Sequence, residues 1–93
     1  MIMVFNTEKE NPNQEIDYVP NKETAIKIAE AIWLPMFGEE IKNFKPYKVY
    51  LVDENTIWVV EGVLGKGAKG GYPYIEINKK DCRIIKVFHG KWR

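Results

Sequence analysis

The chain has 93 residues, enough for one domain, and 13% of them are aromatic. A domain of this size buries only about 60–65% of its unfolded surface, so its core is thin and large rings must fill much of it. One cysteine, Cys82, excludes an internal disulfide and a cysteine-rich metal site and fits a reducing compartment.

Residues 1–5 are apolar, but no basic n-region or long h-region goes with them, which argues against a signal peptide and for a cytoplasmic protein. Residues 1–18 are read as an N-terminal arm or edge strand, because Asn6, Asn11, Pro12 and Asn13 oppose regular structure. Ile16, Tyr18 and Val19 are expected to anchor the approach to a helix.

Residues 21–38 carry the only sustained helical period. Ala25, Ile28, Ala29, Ile32 and Met36 recur at three and four, and Ile26, Trp33 and Phe37 widen that face. Lys22, Glu23, Lys27 and Glu30 are expected on the wet side. Asn21 suits the N-cap, and Pro35 should stop or kink the helix near Leu34. Residues 38–45 form a connector with a short helical turn at 39–42.

Four strand signals come next, at 46–52, 57–64, 72–77 and 83–89, separated by short turns and a glycine-rich loop at 65–71. Short loops between consecutive strands predict antiparallel neighbours. The fold class is therefore α+β: one principal helix on a curved four-stranded antiparallel meander. Alternation places Tyr47, Val49, Leu51, Trp58, Val60, Gly62, Leu64, Ile75, Ile77, Ile85 and Val87 under the helix. Trp58 should be largely buried there, and Gly62 permits a close approach or marks a bulge. The other face takes Tyr50, Val52, Ile57, Val59, Glu61, Val63, Tyr72, Tyr74, Glu76, Ile84, Lys86 and Phe88. One helix cannot cover both faces, so a second body should lie on this one.

The chemical inventory is narrow. Gly65-x-Gly67-x-x-Gly70 matches a dinucleotide fingerprint by letter, but a strand succeeds it where the phosphate site needs a helix. The chain has no serine, and Cys82 and His89, seven apart, face opposite ways on one regular strand. One histidine and dispersed acids form no recognisable metal site, so neither metal nor cofactor is expected. Glu61 interrupts an apolar run. Opposite Glu76 it would form a carboxylate pair able to hold a proton; shifted by two residues it would lie beside Tyr74 instead.

The net charge of +1 divides unevenly, with eight acids and four bases in residues 1–44 and five acids and ten bases in residues 45–93. This reads as two solvated faces, the sharper alternative being a basic edge that meets an acidic partner or a nucleic acid; with two arginines and no arginine-rich cluster, nucleic acid is disfavoured. No apolar run is long enough to cross a membrane.

Several blocks in order, A-I-K-I-A-E-A-I-W-L-P-M-F-G-E-E-I, K-P-Y-K-V, I-W-V-V-E-G, G-G-Y-P-Y-I-E-I-N-K-K-D and H-G-K, closely resemble the nuclear-transport-factor-2 fold immunity proteins of bacterial polymorphic toxin systems. The resemblance covers residues 19–91. It implies a small immunity-like domain that binds and neutralises a cognate toxin stoichiometrically, without catalysis. The family tends to have Asp-Gly in the last hairpin turn, where this chain has Asp81-Cys82. The resemblance brings no binding residues with it.

The face argument supplies candidates for partner binding: Tyr50, Glu61, Tyr72, Tyr74, Glu76 and Phe88, with Lys66 and Lys69 on the adjacent loop. The occupant of that face is a toxin, a second copy in a homodimer, or the N-terminal arm. The alternative function is a small-ligand-binding or enzymatic domain of the same superfold, with Glu61 as acid/base.

Overall fold

In the computed structural model, residues 16–63 and 71–90 are described. The expectations for the arm at 1–15 and for Leu64, Lys66, Lys69 and most of the glycine-rich loop lie outside these residues.

Helix α1 spans Lys22–Phe37. Asn21 caps it in extended conformation, its side-chain oxygen accepting from the Thr24 amide at 2.9 Å. The helix runs through Pro35 and does not stop near Leu34. Proline forfeits only the amide bond to Ala31, and the end is held by the Gly38 amide donating to the Leu34 carbonyl at 2.9 Å. Ala25, Ala29 and Trp33 are fully buried, four apart along one stripe. Met36 is exposed, contrary to its assignment to that face, while Leu34 packs against the core. Glu30 is not on a wet side either. It accepts from the Tyr47 hydroxyl at 2.7 Å and pairs with Lys45 at 3.3 Å.

A 3-10 helix, Glu39–Phe44, leads into the meander β1 (Lys48–Val52), β2 (Ile57–Glu61), β3 (Tyr72–Asn78) and β4 (Ile84–Gly90), paired antiparallel in chain order. The core lies between α1 and one sheet face. Trp58, Val60, Ile75 and Ile77 are buried there, with Tyr47, Val49, Leu51, Ile84 and Val87 packed around them. The fold class and the place of Trp58 are thus as the alternation predicts. Strand β2 ends at Glu61, short of residue 64. The reason is Gly62: a Cβ there would meet Pro73 Cδ at 2.7 Å and Phe44 Cβ at 2.8 Å, so the 3-10 helix and β3 close directly on its backbone.

Ile84, not Ile85, takes the core position on β4. The register steps from Glu76↔Lys86 to Ile77↔Ile84, so Ile85 is the extra residue of a bulge and lies 40% exposed. Of the three residues expected to anchor the approach to α1, only Val19 is buried; Ile16 and Tyr18 are exposed. Tyr18 and Val19 donate their amides to the Lys80 and Lys79 carbonyls, the Val19 carbonyl accepts from the Trp58 indole at 2.7 Å, and Asp17 pairs with Lys79. Among the described residues, no helix is long and apolar enough to cross a membrane.

Candidate functional site

The sheet face turned away from α1 is built in rows across the strands. One row is Lys48, Glu61, Tyr74, Phe88; the next is Tyr50, Val59, Glu76, Lys86. The register therefore sets Glu61 beside Tyr74 and not opposite Glu76, so the two residues are diagonal neighbours on adjacent strands. Each carboxylate accepts from a tyrosine hydroxyl: Glu61 from Tyr50 at 3.0 Å, Glu76 from Tyr74 at 2.7 Å. Burial, then the hydrogen-bonded carboxylate, push both hydroxyls above the usual 10.0, so they remain neutral donors at physiological pH.

Val59 is only 1% exposed, although no described element lies on this face. Its cross-strand neighbours are Tyr50 and Glu76, which the tyrosine–carboxylate bonds tie to Glu61 and Tyr74. Tyr74 stacks on Phe88, with centroids 4.7 Å apart and planes within 15°. The Phe88 and Tyr72 rings lie over Gly90, where a Cβ would meet Phe88 Cε1 at 2.9 Å and Tyr72 Cε1 at 3.4 Å. Six of the eight candidate residues, Tyr50, Glu61, Tyr72, Tyr74, Glu76 and Phe88, thus share one face; Lys66 and Lys69 lie outside the described residues. Sequence reasoning passed over Lys48, whose parity with Tyr50 places it on the same face.

Cys82 and His89 do not face opposite ways. The β4 bulge restores both to the helix side, where Cys82 packs on the core and His89 meets Phe37 edge-on at 5.2 Å. They still sit at opposite ends of the strand, Cys82 beyond the Ile77↔Ile84 pair and His89 opposite Pro73. Cys82 takes φ 68, the conformation that the glycine of an Asp-Gly turn adopts at no steric cost.

The model of the NTF2 fold immunity protein family matches residues 24–91, from the first turn of α1 to just past β4. The chain belongs to this family. The match takes in all six described candidates and gives the protein an immunity role in general terms. Over 75 residues the chain is 37% identical to uncharacterized protein YhhH of Escherichia coli (strain K12), an alignment covering 78% of this chain and 58% of that protein. The chain thus spans less than two thirds of that relative's length. No solved structure matches.

Proposed function

We propose that this immunity protein binds a cognate toxin stoichiometrically in the cytoplasm and neutralises it by occupation, without turnover, through the sheet face opposite α1. The observation that carries the reading is the construction of that face. Tyr50, Tyr74 and Phe88 are held in fixed positions by hydrogen bonds and stacking, and no described element covers them. Ordered tyrosines offer large contact area at low entropic cost, which is why aromatics dominate interface hot spots. The enzymatic alternative draws no support from Glu61, which lies on a sheet face that no described element covers and already accepts from Tyr50.

The test uses the toxin domain encoded next to the immunity gene. Tyr72→Ala with Tyr74→Ala is expected to weaken toxin binding by about 2 kcal/mol or more in calorimetry. Circular dichroism on the same samples must show a folded protein. Unchanged affinity in the folded double variant removes this face. A Glu61→Gln, Cys82→Ala, His89→Ala variant separates binding from chemistry: loss of protection in cells with unchanged affinity would assign a chemical role. Sedimentation of the free protein tests pairing of two copies through the same face.

A further inference from the structure

The charge pattern of this face specifies what it receives. Its carboxylates, Glu61 and Glu76, stand on the two central strands, and its lysines, Lys48 and Lys86, stand on the two edge strands. Each lysine is the cross-strand partner of a carboxylate, yet neither closes on it. The ion pairs among the described residues are Lys42–Glu39, Lys45–Glu30 and Lys79–Asp17. The face is therefore negative at its centre and positive at its margins. An ionised carboxylate has about four acceptor sites, and one tyrosine hydroxyl is the only hydrogen-bond donor found for each of these two among the described residues. The tyrosine fixes the carboxylate in place and leaves acceptor sites that no described donor fills. The ring of Tyr50 flanks this centre on one side and the stacked pair Tyr74–Phe88 on the other.

Fixed carboxylates between aromatic faces suit a planar cation. A guanidinium offers five donors in a rigid fork and stacks on aromatic rings, whereas an ammonium is a compact, strongly hydrated point charge. Glu61 and Glu76 are diagonal neighbours on adjacent strands, so both carboxylates border the same stretch of the face. The edge lysines disfavour a uniformly basic surface. We infer that this face recognises a single arginine side chain of the partner, seated between Glu61 and Glu76, in a surface that is neutral or acidic around it. The inference rests on the reading of this face as the toxin-binding surface and names the group that it reads.

Two experiments test it. In the first, the isotope-labelled protein is titrated with acetyl-Gly-Arg-Gly-amide and with its uncharged isostere carrying citrulline, followed by amide resonances. The arginine peptide is expected to shift residues 59, 61, 74 and 76, the citrulline peptide to leave them in place, and Glu61→Gln with Glu76→Gln to abolish the response. Equal responses to both peptides, or an unchanged response in the double variant, overturn the inference. So does a lysine peptide that binds as tightly as arginine.

In the second, affinity for the purified toxin domain is measured for two folded double variants. Glu61→Gln with Glu76→Gln should lose about tenfold or more, with a weaker salt dependence than wild type. Tyr72→Ala with Phe88→Ala probes the face without touching the carboxylates. If the aromatic variant loses affinity and the glutamine variant does not, the face stands and the arginine is wrong. If neither loses affinity, both the face and the arginine fall.

Discussion

Replacing Trp58 by phenylalanine should destabilise the protein well beyond the volume change, because the indole does two things at once. It fills the core beneath α1, 6% exposed, and its N–H donates to the Val19 carbonyl at 2.7 Å. Val19 is fully buried, so water cannot replace that donor. An orphaned buried carbonyl costs about 1–3 kcal/mol, and the smaller ring forfeits packing worth roughly another 1 kcal/mol. Trp58→Phe should therefore lose about 2–4 kcal/mol, against about 3–5 for Trp58→Ala. A domain of this length has on the order of 5–14 kcal/mol in all, so the alanine variant reaches the unfolded state if the wild type stands at the low end of that range. Urea unfolding followed by far-ultraviolet circular dichroism measures both without relying on the deleted fluorophore. A second readout separates the two roles. The Tyr18 and Val19 amides, bonded to the Lys80 and Lys79 carbonyls, should exchange with solvent faster in Trp58→Phe than global stability alone requires. A phenylalanine variant within about 0.5 kcal/mol of wild type, with unchanged exchange there, would refute the claim that this segment hangs on the indole.

Gly62→Ala should cost about 1–3 kcal/mol, since its Cβ would lie 2.7 Å from Pro73 Cδ and 2.8 Å from Phe44 Cβ; urea midpoints measure this, and a neutral result would mean that the 3-10 helix shifts freely. Cys82, at φ 68, should tolerate Gly or Asn within about 0.5 kcal/mol, whereas Cys82→Val should lose about 1–2 kcal/mol in thermal unfolding because branching at Cβ opposes the left-handed region. At Glu30, burial by itself raises the carboxyl pKa, but the Tyr47 hydroxyl and the Lys45 ammonium outweigh it and hold the group below 4.5. Its folded value is thus the lower one, so its contribution to stability is present above the unfolded pKa and lost as the pH falls through the folded one. Glu30→Gln should flatten the acid limb of stability, measured as urea midpoints between about pH 3 and 7; an unchanged limb would show that other groups set it.

The helix and the meander were legible because each has its own period, 3.6 along residues 22–34 and 2 along each strand. What the periods leave open is where elements stop and how strands slide. Pro35 reads as a terminator, yet a proline in the last turn removes one bond among several, and the packing of Leu34 and Phe37 keeps the chain helical. Ile84 and Ile85 are chemically identical neighbours, so nothing local marks which is squeezed out by the bulge; the pairing with Ile77 decides it. The place of Glu61 was open for a related reason, since the loop of residues 65–71 is too long to fix a register by turn geometry. Glu30 looked solvated because its partners, Tyr47 and Lys45, lie beyond the helix and only the chain's return brings them near. The Cys82 turn shows the reverse case: the missing glycine was visible in the sequence, and the backbone keeps the left-handed residue regardless.

The two sides of the sheet are nearly independent structures, and that bears on how such a small domain can recognise a partner. The helix side is an ordinary core. On the far side Val59 is buried as well, and hydrogen bonds between side chains tie its cross-strand neighbours Tyr50 and Glu76 to Glu61 and Tyr74. One described side-chain hydrogen bond joins the two sides, from the Trp33 indole to the Tyr74 carbonyl at 3.4 Å, and it uses the Tyr74 backbone, which any residue supplies. The far-face side chains can therefore change with little effect on the helix-side core. A face whose residues are fixed by one another can be ordered before it binds, and ordering before binding reduces the entropy lost on association. Diversification of such a face towards different partners meets little opposition from folding, because the residues that hold the fold lie on the other side.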